Sequence, residues 1–211
     1  MDAMTRNLRI DFDKIIAMPH EATARELGSH TWNDFLALAE DDRRELLDGH
    51  LVETDMPSKT HERIVATLIA LLGHWAWARR AGQVLASGYK IRIDELRGVM
   101  PDVQFFRADN LPEGQEDGLE SGCPDLVVEV ISPTSRSKDS VRKLHDYAAI
   151  GVPEYWLVDP EARTLECLRL RDGVYGIVAA IEGDVDFRPE GFEGLEISLA
   201  RLWDESLAGE R

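Results

Sequence analysis

The stretch PDLVVEVISP, residues 124–133, decides the fold. Its core, Leu126 to Val130, is an almost unbroken run of β-branched and aliphatic residues. Such a run suits a strand covered on both faces, not one with a wet side. With a period of two, Asp125, Val127, Glu129 and Ile131 lie on one face, and Leu126, Val128 and Val130 on the other. SerProThrSer at 132–135 ends the strand and provides an N-cap for a helix of about 14 residues closing at Gly151. A strand over Glu154–Val158 comes next, so the helix between the two strands is expected to fold back over the sheet.

Working outward on the C-terminal side, strands are expected at Thr164–Arg171, Val174–Ala180 and Val185–Phe187. AspPro at 159–160 and AspGly at 172–173 serve as turns, and Leu199–Trp203 reads as a short closing helix. On the N-terminal side, Val99–Phe106 reads as one strand, with shorter ones at Val84–Ala86 and Tyr89–Ile93. Ile64, Val65, Leu68, Leu72 and Trp75 recur at helical spacing behind a Ser58/Thr60 start, which predicts a long helix ended by Gly82. His61 and Glu62 in its first turn are both expected to look inward. Residues 31–49 read as a short helical hairpin or broken helix, and His50–Thr54 as a strand. The acidic stretch 107–122 reads as an exposed connector. Residues 1–30 are expected to form an N-terminal arm, and 31–211 one domain. The fold class is therefore α/β, a mixed twisted sheet flanked by helices with antiparallel C-terminal strands.

Composition narrows the function. Lys and Arg number 24 against 40 Asp and Glu, a net charge of −16, which excludes a basic sheath around nucleic acid or an anionic membrane surface. Two cysteines argue against a disulfide framework and for a reducing compartment, expected to be the cytoplasm. No stretch approaches the roughly 20 apolar residues of a membrane helix.

The chemistry lies in two acids inside apolar runs, Asp102 in VMPDVQFF and Glu129 in LVVEVI. A carboxylate withdrawn from water must be paired, protonated or metal-bound. If both face one side of adjacent strands their oxygens converge, which suits Mg²⁺, an ion that often uses one or two carboxylates plus phosphate oxygens. Lys143 follows on the next helix, with Asp139 and Tyr147 four residues to either side on one face. The plainer alternatives are a turn-capping Asp102, a surface Asp139–Lys143 pair, a dipole-stabilising Glu62, a packed His61 and a core Tyr147.

The ordered segments RRELLDGHLV, THERI, MPDV, PDLVVEVISPTS and KLHDYAAIGVPEYWLVD resemble the Uma2 family, which is placed in the PD-(D/E)XK restriction-endonuclease-like superfamily. The resemblance implies a restriction-endonuclease-like core and a metal-dependent endonuclease hydrolysing phosphodiester bonds, DNA ahead of RNA. Asp102 then matches the PD acid and Glu129 the (D/E)XK acid. The lysine expected two positions later is Ile131, and Lys143 on the helix takes its place. Metal contacts are expected at Asp102, Glu129 and Val130, with Mg²⁺ or Mn²⁺ as cofactor. Glu62 matches the helical acid of the superfamily, with Glu45 as a second candidate. The opposing reading is a weakly active or inactive nuclease-fold module for binding or assembly. A homodimer is expected through GluTyrTrpLeuVal at 154–158 and the C-terminal strands.

Overall fold

The computed structural model describes residues 26–39, 41–112, 116–132 and 138–204. In chain order the elements are α1 (Trp32–Leu36), β1 (Arg44–Leu47), β2 (His50–Glu53), α2 (Lys59–Arg79), β3 (Gly82–Ala86), β4 (Lys90–Asp94), β5 (Arg97–Val99), β6 (Val103–Arg107), β7 (Gly118–Leu119), β8 (Leu126–Val130), α3 (Lys138–Ile150), β9 (Glu154–Asp159), β10 (Thr164–Arg171), β11 (Val174–Glu182), β12 (Asp186–Phe187), β13 (Ile197–Ser198) and α4 (Leu199–Trp203). The larger sheet runs β11-β10-β9-β8-β6-β3 and the smaller β2-β1-β5-β4-β7, with β12 and β13 paired apart.

All five residues of β8 are buried, as a run without polar alternation requires. This strand is parallel to β9, which it reaches through α3, and antiparallel to β6. Leu126, Val128 and Val130 pack with Ile64, Leu68 and Leu72 of α2 and Leu199 and Leu202 of α4. Val127, on the opposite face, packs with Tyr147 of α3 and with Ile91 and Val99 of the smaller sheet. The mixed α/β class and the antiparallel C-terminal hairpin agree with expectation. Ser58 caps α2, and its hydroxyl accepts the His61 amide at 3.1 Å. Among the described residues no helix is long and apolar enough to cross a membrane.

Four expectations are corrected. Residues 31–49 are not a helical hairpin: only Trp32–Leu36 is helical, and Leu46 and Leu47 belong to β1. The cause is the AspGly pair at 48–49, with φ of 50° and 79°, which forms a two-residue turn joining Leu47 to His50. The span 99–106 is two strands in different sheets, because Pro101 cannot donate to a ladder and the chain changes sheet there. The connector 107–122 contains β7, buried and parallel to β4. GluTyrTrpLeuVal is no edge: β9 lies between β8 and β10, with Tyr155 and Trp156 in the core, and the outer strand on that side is β11. The expected arm lies outside the described residues up to residue 25. The expected caps at 133–135 lie outside them too.

The smaller sheet carries a third cluster of Trp32, Phe35 and Leu46, the two rings meeting edge-on at 5.7 Å. Gly98 sits under it: a Cβ there would lie 2.6 Å from Phe35 Cδ1 and 2.9 Å from Trp32 Cζ3. Gly98→Ala is expected to lower stability by about 2 kcal/mol through overpacking, measured as a shift in urea midpoint with unchanged slope.

Candidate active site

Pairing between β6 and β8 builds the site. Val103 stands opposite Val128, so Asp102, one residue before β6, comes level with Glu129. The Val130 amide donates to Asp102 Oδ2 at 2.8 Å, and His61 Nε2 lies 3.2 Å from the same oxygen. Among the described residues Asp102 Oδ1 accepts no hydrogen bond. Burial alone would lower the His61 pKa, but the hydrogen bond and charge of Asp102, helped by Glu62 and Glu129, outweigh it and hold the imidazole above its ordinary value.

Glu129 is only 8% exposed. Lys143 Nζ reaches both its oxygens at 3.0 Å, and the Tyr147 hydroxyl donates to Oε1 at 2.5 Å. Lys143 and Tyr147 are one helical turn apart on α3, which is why both meet one carboxylate. Lys143 is thus buried against Glu129 and not on a solvated face; the Asp139 side chain lies outside the described residues. Burial is the main reason the Glu129 carboxyl is pushed up to about 7. Asp102 and Glu45 add repulsion, while Lys143 and Tyr147 oppose it.

That shift has a sign. Glu129 holds its proton more tightly folded than unfolded, so its contribution is fully present below the ordinary 4.5 and is lost as pH rises through about 7. Between about pH 5 and about pH 8 the parent is expected to lose roughly 2–3 kcal/mol more stability than Glu129→Gln, read from urea denaturation at each pH.

Glu45 on β1 completes the cluster. It is 3% exposed and accepts the Met100 amide at 3.1 Å, with Lys143 Nζ at 3.6 Å and an Arg142 nitrogen at 3.4 Å. Behind it Arg97 bridges Asp48 at 2.7 Å and the buried Asp146 at 3.1 Å. Glu62, by contrast, points outward: its side chain is 59% exposed and comes no nearer than 3.9 Å to His61 Nδ1. The structure therefore brings Asp102, Glu129 and Lys143 together with Glu45, His61 and Tyr147, and leaves Glu62 at the rim. Asp125 serves the turn before β8, accepting the Arg107 amide and the Asn110 side chain.

These groups open into a cleft of about 570 Å³ lined by Glu45, His61, Asp102, Glu129, Val130 and Lys143. Two facing carboxylates, one with an oxygen that accepts nothing among the described residues and the other disfavoured as an anion chiefly by burial, are a donor set that a hard divalent cation fits. Among the described residues no group of three or more His, Cys, Asp or Glu side chains is placed to hold a metal ion. Water or main-chain oxygen would therefore supply the remaining ligands, as Mg²⁺ commonly requires.

The family model described as "Uma2: Putative restriction endonuclease" matches residues 32–200. Among solved structures, the chain is similar to "a putative nuclease belonging to DUF820 from Anabaena variabilis ATCC 29413". The TM-score is 0.69 at 18% identity, over 82% of this chain and 97% of that one, a likeness that shows a shared fold. No curated protein matches the chain.

Proposed function

Because this chain belongs to the Uma2 family, we propose that it is a metal-dependent endonuclease that hydrolyses phosphodiester bonds of nucleic acid, DNA in preference to RNA. The observation that carries this reading is the meeting of Asp102 and Glu129 on neighbouring strands, with the buried Lys143 held against Glu129. Asp102 and Glu129 would hold Mg²⁺ or Mn²⁺, with Val130 beside them. When bound, the ion supplies polarisation of the phosphodiester and a lowered pKa for the attacking water. Lys143 supplies positive charge where negative charge gathers on the phosphate. Tyr147 fixes the orientation of Glu129, and His61 and the Val130 amide fix that of Asp102. Glu62 at the cleft mouth adds negative charge beside His61, an assisting role of long range.

One observation favours the alternative, a nuclease-fold module that binds or assembles without turnover. Besides Glu45, Asp102 and Glu129, the acids Asp41, Asp42, Glu53, Asp55 and Glu62 line the cleft, against Arg43, Arg142 and Lys143 on the basic side. A polyanion meets mostly its own sign there.

Incubating purified protein with supercoiled plasmid, linear duplex, single-stranded DNA and RNA separates the two. Cleavage with Mg²⁺ or Mn²⁺, lost on chelation and restored by added metal, is the expected result. All four substrates remaining intact, together with no calorimetric signal for either ion, overturns the nuclease reading.

A further inference from the structure

Lys143 lies within reach of two buried carboxylates. Its Nζ is 3.0 Å from both oxygens of Glu129 and 3.6 Å from Oε1 of Glu45. An ammonium shared across both oxygens of Glu129 sits where a divalent ion would have to bind, and two cations crowded into one buried site repel strongly. The same hold on Glu129 cannot serve both. Lysine has a flexible four-carbon stem, so its charge can move several tenths of an ångström to a second acceptor without any motion of the helix. Glu45 is that acceptor. Its own oxygens already take the Met100 amide and the Arg142 guanidinium, which holds the carboxylate in place and keeps it from turning towards the metal position.

The geometry points to Glu45 as the seat that receives Lys143 when a divalent ion takes Glu129. Glu45 is then a positioning residue, not a ligand. Without metal, Lys143 neutralises Glu129 and closes the site. With metal, Lys143 leans on Glu45, stays beside the reacting phosphate and leaves Glu129 open. This rests on the metal-dependent reading above. The backbone adds to it, because the Met100 amide bonded to Glu45 is two residues before Asp102, so one carboxylate steadies both the ammonium and the chain carrying the other ligand.

A double-mutant cycle read by calorimetric Mn²⁺ titration of the full chain tests the handover. Lys143→Met is expected to tighten Mn²⁺ binding about tenfold, since nothing then has to leave Glu129, and Glu45→Gln to weaken it about tenfold. In the Lys143→Met background the loss caused by Glu45→Gln is expected to be at least about fivefold smaller, because no ammonium needs a seat. A direct ligand, or a mere negative charge nearby, loses the same affinity in both backgrounds. Losses equal within about twofold, or weaker binding by Lys143→Met, overturn the inference while parent binding keeps the nuclease reading. Absence of Mn²⁺ binding in both parent and Lys143→Met overturns the metal-dependent reading itself. If circular dichroism shows Lys143→Met unfolded, Lys143→Gln takes its place in the cycle, with the same expected signs.

Discussion

Glu129→Ala is expected to destabilise the protein by about 3–5 kcal/mol at about pH 7, because it strands a buried ammonium. Lys143 is only 9% exposed, and the Tyr147 hydroxyl loses its acceptor in the same step. Glu45 lies near enough to take part of the charge, which places the loss in the lower half of that range. The cost should belong to the broken pair and not to the missing carboxylate. Accordingly, the double replacement Glu129→Leu with Lys143→Met is expected to recover most of the stability, since removing both charges leaves no orphan. Urea unfolding of the parent, the single variant and the double variant measures this. A double variant as unstable as the single would show that the loss comes from strand packing instead.

Asp102→Asn should behave in the opposite way, with a large loss of chemistry and little loss of fold. The amide oxygen of Asn still accepts from the Val130 amide, so the latch at the start of β6 survives, and stability is expected to change by less than about 1 kcal/mol. The charge that would hold a divalent ion is gone. Cleavage under Mg²⁺ is expected to fall at least about 10³-fold, equivalent to about 4 kcal/mol of transition-state stabilisation. Nicking rates of parent and variant on supercoiled DNA give the number. A variant retaining more than about a tenth of parental activity would remove Asp102 from the proposed machinery.

How legible all this was in the sequence depended on how far each signal reached along the chain. The β8 run read correctly because its burial is written in consecutive residues, and the parity that puts Glu129 opposite Val128 and Val130 followed from the pleat alone. The AspGly turn at 172–173 is legible because strand-like runs flank it, whereas its equivalent at 48–49 follows Leu46 and Leu47, which continue a helical spacing begun by Trp32 and Phe35. A helical reading of 31–49 takes Glu45 off the strand where it lies buried, while the resemblance to the superfamily's helical acid favours Glu62. One signal could have found Glu45: an acid alternating with Leu46 just before a two-residue turn, the inward parity of a strand. The bond from Tyr147 to Glu129 was implicit in the i, i+4 spacing from Lys143, but an aromatic at a core position carries no mark of a polar partner until the strand below it is known. The place of His61 in the first turn of α2 is legible from the Ser58 cap. Its meeting with Asp102 spans 41 residues of chain and depends on how β6 and α2 pack, which no local pattern encodes.

The crossing at Pro101 has a mechanical corollary. Only Met100, Pro101 and Asp102 separate the end of β5 from the start of β6, so Asp102 rides on the seam between two sheets while Glu129 is anchored deep in one of them. The gap between the two acids is consequently gauged by how those sheets abut, like the jaws of a caliper whose handles are distant. Pressure on the outer side of the smaller sheet, from a crosslink or an engineered contact near Trp32, would be felt as a change in ion affinity without touching any ligand. A tether there offers a way to tune the site from outside.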